Sequence, residues 1–297
     1  MGLGEWAGLC TAALWAVSSM FYASVRLDAW TLNFAKNTIG CAILAAQLLI
    51  LALVSGQFGW LASSTAWLYL GLSGFIGILI GDTFFFRSLQ VLGPRRALML
   101  ATTAPLFATL IGWSVLGETI SLRCGLGIAL TLTGVGLVIS DQRAKVEAPG
   151  LYPGTLWVGA LCGLGGALCQ AIGAMISKLG MADCDPATAS FIRLLIPSVV
   201  GFVYLVQNRG GRRAIHNAFS KSNLAGVAPG AILGTWLGIW FSQVAIKYSH
   251  IAVATTLMTT CPLFAIPLVR ILYKHPIRWS ALVGALVAIA GIYLVAS

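Results

Sequence analysis

Charged side chains are scarce in this sequence. Only 9% of the 297 residues are charged and 59% are hydrophobic, whereas a soluble domain carries roughly 25% charged residues. This composition excludes an ordinary soluble globular protein. The apolar residues form runs of about 20, the length that a helix needs to cross a hydrocarbon layer of roughly 30 Å. The expected fold class is therefore an all-α polytopic membrane protein.

The sequence also lacks the common signatures of catalysis. It contains no GxSxG, HExxH, GxGxxG or P-loop motif. Its three histidines (His216, His250 and His275) fall in or beside predicted loops, and its seven cysteines form no CxxC pair. We therefore expect no enzyme activity, no cofactor and no metal site.

The most informative feature that is present is a duplication. The segment TTAPLF at 102–107 returns as TTCPLF at 259–264, which lies 157 positions further on and matches at five of six positions. The same offset aligns other pairs without a gap: Asp28 with Asp185, Thr31 with Thr188, Phe34 with Phe191, Lys36 with Arg193, Gly127 with Gly284, and Gly134 with Gly291. The chain is therefore a tandem repeat. The first unit covers 1–140, a linker with the start of the sixth helix covers 141–157, and the second unit covers 158–297.

Windows of low charge predict ten transmembrane helices, five in each unit. Their expected ranges are 3–25, 31–54, 67–89, 97–116, 122–140, 156–178, 186–207, 224–245, 251–273 and 279–296. An odd number of helices per unit forces the second copy to enter the membrane upside down. The expected architecture is therefore two inverted five-helix repeats, as in many secondary transporters.

The basic residues predict the orientation, because lysine and arginine near helix ends stay on the cytoplasmic side. The loops after predicted helices 1, 3, 5, 7 and 9 hold thirteen of them: Arg26, Arg87, Arg95, Arg96, Arg143, Lys145, Arg209, Arg212, Arg213, Lys221, Arg270, Lys274 and Arg278. The opposite side holds three: Arg123, Lys178 and Lys247. Both termini should therefore face outward. This loop distribution also accounts for the net charge of +10 without a nucleic-acid partner.

Lys36, Asp82 and Arg193 are ionisable residues that lie well inside predicted helices. Such residues usually have partners and face an interior cavity. Predicted helices 2 and 3 run in opposite directions, so Lys36 and Asp82 should share one depth and form an ion pair. The pair either locks two helices together or takes part in binding substrate or a proton, and the sequence leaves both readings open.

Arg193 differs from its counterpart Lys36, because the second unit has Ile239 where the first has Asp82. Its expected partners are Gln243, Asp185 or the substrate. A guanidinium without a fixed carboxylate suits bidentate capture of an anion, although an arginine bonded to loop carbonyls at a helix end is an equally open reading.

We expect the binding site between the two copies, lined by predicted helices 1, 2, 3, 6, 7 and 8. The neutral polar and aromatic candidates for its wall are Asn37, Gln170, Trp15, Trp236 and Trp240, with Asn33, Tyr22 and the Thr pairs 102/103 and 259/260 as further possibilities. The aromatic residues are also explained by packing or by a place in the interfacial belts.

The chain resembles the EamA family of the drug/metabolite transporter superfamily over nearly its whole length. The resemblance rests on TTAPLF at 102–107 and LGET at 116–119, and on Lys36 and Arg193, which stand two residues after Phe34 and Phe191 where the family often has an arginine after an aromatic residue. The second copy departs from the pattern, with YKHP at 273–276 in place of LGET. Any role of the family's glutamate therefore applies only to Glu118.

This resemblance implies export or exchange of small metabolites, often amino acids, through a central cavity. We therefore expect a secondary transporter of the inner membrane with a small-molecule substrate, surrounding lipid, and a proton or counter-substrate for coupling. A carrier for nucleotide sugars or lipid-linked sugars is the alternative within transport, and a channel or a non-transporting scaffold is the alternative outside it. The sequence predicts no oligomeric state.

Overall fold

A computed structural model describes residues 1–55, 62–92, 94–140, 156–265, 268 and 279–296. Every regular element in these ranges is a helix. Most of the predicted linker and the end of the predicted ninth helix lie outside the described residues. So do five of the basic residues that predict the orientation, Arg143, Lys145, Arg270, Lys274 and Arg278, and the side chains of Arg95 and Arg96.

The first repeat holds seven α-helices: α1 (Leu3–Ala23), α2 (Ala29–Ser55), α3 (Ser64–Ser73), α4 (Asp82–Leu92), α5 (Pro94–Ala101), α6 (Ala104–Leu116) and α7 (Leu122–Ser140). In the described ranges the second repeat holds α8 (Leu156–Gly180), α9 (Pro186–Gln207), α10 (Gly211–Ala218), α11 (Lys221–Gly230), α12 (Gly238–Tyr248), α13 (Ile251–Met258) and α14 (Trp279–Ala296), and residues 261–265 are helical as well.

Several of these helices join end to end into membrane-length stretches. Five stretches are long and apolar enough to cross a membrane: Ala29–Val54, Ser64–Leu92, Leu156–Gly180, Pro186–Gln207 and Lys221–Tyr248. Four further apolar helices are shorter: Ala104–Leu116, Leu122–Leu137, Ile251–Ala265 and Leu282–Val295. The protein is a multi-pass helical membrane protein, and the count of ten crossings stays a prediction.

Within the described residues, each repeat contains one π-helical segment, which lies inside its third predicted transmembrane helix. The first segment (Gly74–Gly81) joins α3 to α4, and the second (Ala231–Leu237) joins α11 to α12. Their first residues are separated by the repeat offset of 157 positions. The π-helix is rare and occurs frequently at functional sites. Its presence at the same place in both copies indicates that the irregularity belongs to the fold and is not a local accident.

The repeated Thr-Thr-x-Pro motif breaks a helix in both copies. α5 ends before Thr102 and α6 begins at Ala104, while α13 ends before Thr259. Proline has no N–H and its ring displaces the carbonyl four residues earlier, which interrupts the helical ladder. The hydroxyl of Thr103 donates to the Leu100 carbonyl at 2.6 Å, and that of Thr260 donates to the Leu257 carbonyl at 2.6 Å. The threonines thus satisfy carbonyls next to each break.

The two repeats pack together through the helices that correspond to the first three predicted transmembrane helices of each copy. α1 lies against α11 and α12, α2 against α9, and α3 and α4 against α8. Glycines allow this approach: a Cβ on Gly173 of α8 would lie 2.8 Å from the Cα of Gly77. These are the helices that the sequence places around the site, and they form the seam between the copies.

A second seam joins α7 to α14, the last helices of the two repeats. A Cβ on Gly134 would lie 2.4 Å from the Ala288 backbone nitrogen, and one on its counterpart Gly291 would lie 2.4 Å from the Thr131 backbone nitrogen. Membrane helices associate through such close backbone contacts, because lipid supplies no hydrophobic drive between them. The α7–α14 contact thus joins the C-terminal helices of the two repeats.

Candidate functional site

A buried ion pair joins α2 to α4 at the seam. Lys36 Nζ donates to Asp82 Oδ2 at 2.7 Å, and Gln170 Nε2 from α8 donates to Asp82 Oδ1 at 2.6 Å. The side chain of Lys36 is 5% exposed and that of Asp82 is 19% exposed, so the cluster borders accessible space on the Asp82 side. The predicted Lys36–Asp82 contact is confirmed, and Gln170 brings the second repeat into it.

Two asparagines on α2 connect this ion pair to the first π-helical segment. Asn37 Oδ1 accepts from Lys36 Nζ at 3.0 Å, and Asn37 Nδ2 donates to Asn33 Oδ1 at 2.9 Å. Asn33 Nδ2 in turn donates to the Ile78 carbonyl at 3.0 Å and to Thr83 Oγ1 at 3.1 Å. The ion pair and the irregular backbone therefore form one hydrogen-bonded network.

Arg193 lies on α9 against the same π-helical segment. Its carbonyl oxygen would be 2.1 Å from a Cβ on Gly74, and its Nη2 would be 3.4 Å from a Cβ on Gly77. The side chain thus runs along the glycine face of the segment. Arg193 and Lys36 are equally buried, at 4% exposure of each residue, and Asp82 is near enough to Arg193 to interact with its charge.

The buried Nε of Arg193 nevertheless has no hydrogen-bond partner within the described ranges. No described carboxylate forms an ion pair with the guanidinium. A buried charge without a hydrogen-bond partner is strongly disfavoured. Among the described residues, Arg193 is thus a cation of the seam with unused donors.

The protein partners expected for Arg193 are engaged elsewhere, so that part of the prediction is wrong. Asp185 caps the N-terminus of α9 by accepting from the Ala187 and Thr188 amides at 2.9 and 3.0 Å. Gln243 accepts from the Ser177 hydroxyl at 2.5 Å. A helix cap satisfies free amides at the helix start, so the Asp185 carboxylate bonds there and not to Arg193.

The three candidate tryptophans lie around the seam in contacts of their own. Trp15 Nε1 donates to the Gly234 carbonyl in the second π-helical segment at 3.0 Å. Trp236 Nε1 donates to Gln47 Oε1 at 2.7 Å, and the ring of Trp240 lies 5.9 Å from that of Phe241. The N–H groups of Trp15 and Trp236 are thus used within the protein, and a substrate role for any of the three stays a prediction.

A separate charged cluster lies at the end of the bundle at which α1 begins. We call Glu118, Lys178, Ser249 and Ile251 the end cluster. Lys178 Nζ donates to Glu118 Oε1 at 2.5 Å and to the Ser249 carbonyl at 2.7 Å, and the Ile251 amide donates to Glu118 Oε2 at 2.9 Å. One carboxylate of the first repeat therefore ties together α8 and the start of α13 in the second.

The turn after α6 positions Glu118 for these contacts. Gly117 has a φ of +64°, a left-handed conformation that glycine adopts without steric cost. The chain then folds back, and the Glu118 amide donates to the Gly112 carbonyl at 3.0 Å. Sequence reasoning singled out Glu118 from the LGET motif but missed Lys178 as its partner, because no offset or spacing links the two.

Cys184, in the turn before α9, is not a candidate nucleophile. Burial raises the pKa of its thiol to about 11, and the neighbouring Asp185 carboxylate adds to the effect. The thiol therefore stays protonated near neutral pH, and the thiolate is the reactive form of cysteine. All seven cysteines of the chain are unpaired.

Comparison with known proteins agrees with this architecture. The EamA-like transporter family matches the chain twice, at residues 2–140 and 157–297. A solved structure described only as "Crystal structure of protein" has a TM-score of 0.76 and 17% sequence identity, and the match covers 98% of this chain and 96% of that one. At this identity the likeness shows the fold alone. No curated protein matches the chain.

The two family matches cover both halves of the chain and the two halves share the π-helical segments, the Thr-Thr-x-Pro breaks and the cross-repeat seam. The chain therefore belongs to the EamA-like transporter family and is a membrane transporter of the drug/metabolite type.

Proposed function

We propose that the protein is a ten-helix secondary carrier that exports or exchanges small metabolites, such as amino acids, by alternating access. The observation that carries this proposal is the polar network at the seam, where Lys36, Asp82 and Gln170 bring both repeats to one buried point. Polar groups in membrane helices are rare and usually mark a substrate or ion path. A site shared by two inverted copies can open to either side as the copies rock.

The end cluster supports the same mechanism. Its bonds run from the first repeat to the second, and the second repeat has His275 at the position that corresponds to Glu118, so its sequence offers no second carboxylate there. An alternating carrier needs contacts that close one end while the other opens. In our proposal, the end cluster closes one face and breaks when that face opens.

We further propose that the protein resides in the inner membrane with both termini outside, on the basis of the thirteen basic residues on one side and three on the other. A C-terminal alkaline phosphatase fusion should be active, and the same enzyme fused after Lys145 should be inactive. An inactive C-terminal fusion together with an active fusion after Lys145 would reverse the orientation.

Counterflow in liposomes tests the carrier function. Full-length protein is reconstituted into liposomes loaded with one unlabelled metabolite at a time, and uptake of the labelled form is followed. A carrier should give uptake that saturates with external concentration and that depends on the internal load. Flux that rises linearly and ignores the internal load would identify a channel, and the absence of flux across the metabolite panel would favour a scaffold.

A nucleotide-sugar or lipid-linked-sugar carrier is the alternative within transport. The guanidinium of Arg193, whose buried Nε has no partner among the described residues, is compatible with a sugar phosphate. Including sugar phosphates and nucleotide sugars in the same counterflow panel separates this reading from transport of amino acids.

A further inference from the structure

The membrane-embedded charges of the seam do not balance. Lys36 and Arg193 contribute two cations, and Asp82 contributes one carboxylate that is already bonded to Lys36 and Gln170. With each group in its ordinary ionisation state, the described network carries a net charge of +1. Low-dielectric surroundings disfavour such a net charge, so the seam lacks one negative charge.

The missing charge can be located from the contacts. Both Asp82 oxygens are engaged, and Lys36 donates to Asn37 as well as to Asp82. Arg193 is the cation whose Nε is buried and without a partner among the described residues. A guanidinium offers five donors in a planar fork that matches an oxyanion. The open donors therefore lie at Arg193, on the glycine face of the first π-helical segment.

We propose that the site takes small organic monoanions, and that Arg193 holds their oxyanion through its guanidinium. This inference rests on the proposed carrier function and names the charge class of its substrate. The bound anion brings the buried charge to zero, so the loaded site can be enclosed without an uncompensated ion. Acidic metabolites with one net negative charge are then favoured over zwitterions, neutral compounds and cations.

Matched ligands test the charge class on the purified full-length protein. The probes are pairs of nearly equal shape that differ in one charge: L-glutamate with L-glutamine, lactate with lactamide, and benzoate with benzamide. Binding is measured as the rise in melting temperature with ligand concentration. We expect at least one acid to stabilise the protein and to bind about ten- to hundredfold more tightly than its amide, because hydrogen bonds to charged groups are the strong ones. An amide that stabilises as well as its acid, or a panel in which no acid stabilises, overturns the proposal.

Variants assign the effect to Arg193. Arg193→Gln should lower the affinity for the stabilising acid about ten- to hundredfold and bring it close to that for the amide. Arg193→Lys should fall between Arg193→Gln and the wild type, because it keeps the charge and loses the fork. Arg123→Gln is the matched control, since Arg123 is exposed at the start of α7 and should leave the affinity unchanged. Equal affinity of Arg193→Gln and wild type for the acid would refute the assignment.

Counterflow separates failure of this inference from failure of the carrier function. If amides are exchanged as rapidly as acids, the carrier function stands and the charge class is wrong. If an acid binds through Arg193 but gives no counterflow, the charge class stands and the carrier function is wrong.

Discussion

Lys36 and Arg193 occupy the same position in the two repeats, and both are buried at 4% exposure. Lys36 donates to Asp82 and Asn37, whereas Arg193 has no partner for its buried Nε within the described residues. The difference follows from one position, because the second repeat has Ile239 where the first has Asp82. The two repeats thus share the helix and the cation and differ in the acid. In the first repeat, Asp82 neutralises the charge of Lys36. In the second repeat, Arg193 can bind an anion that comes from outside the protein.

The largest loss of stability is expected for substitutions in the first repeat, where Lys36 and Asp82 form an ion pair. Lys36→Met should destabilise the protein by roughly 3–5 kcal/mol, because it leaves the partly buried Asp82 carboxylate without its bonded counter-ion. Asp82→Leu should do the same to Lys36. The double variant should lose less stability than the sum of the two single losses. Thermal or denaturant unfolding of the wild type, the two single variants and the double variant measures this coupling. Strictly additive losses would contradict the contact at 2.7 Å.

The end cluster should respond next most strongly. Glu118→Gln removes the charge that accepts from Lys178 and the Ile251 amide, and hydrogen bonds to charged groups contribute about 1.5–3 kcal/mol each. We expect a loss of about 2 kcal/mol in the free energy of unfolding. Glu5→Gln is the control, since Glu5 accepts from Ser249 at 3.1 Å outside this pair and should change stability far less. Equal losses in the two variants would show that Glu118 has no special role in closing this end.

The difference between the repeats can also be removed by placing an acid at position 239, which corresponds to Asp82. Ile239 is 7% exposed and packs with Leu194, the neighbour of Arg193. Ile239→Asp should be destabilising, but less so beside Arg193 than in an Arg193→Gln background, with a coupling of about 1 kcal/mol. It should also abolish stabilisation by anions. The same loss of stability in both backgrounds would mean that an acid at position 239 does not act as a counter-ion for Arg193 in the way that Asp82 does for Lys36.

The repeat, the seam helices and the Lys36–Asp82 pair could be predicted from the sequence. A fixed offset reveals the duplication, and opposite helix directions place the two ions at one depth. That Asp185 and Gln243 do not bond to Arg193 could not be predicted, because Asp185 is used by a helix cap and Gln243 by Ser177 of another helix.

The π-helical segments were also missed, for a different reason. Gly74–Gly81 and Ala231–Leu237 are apolar and glycine-containing, and such composition does not distinguish a π-helix from a tightly packed α-helix. Their hydrogen bonding is visible only in three dimensions. The end cluster was missed because Glu118 and Lys178 are 60 positions apart and belong to different repeats.

The most direct test of the difference between Lys36 and Arg193 is the melting temperature of Arg193→Gln without and with a stabilising acid. Because the buried guanidinium Nε has no partner among the described residues, its removal should change the unliganded free energy of unfolding by less than about 1 kcal/mol or raise it. The upward shift caused by the acid should disappear. An unliganded Arg193→Gln protein that is as unstable as Lys36→Met would contradict this account, because it would show that Arg193 stabilises the fold and is not kept free to bind a ligand.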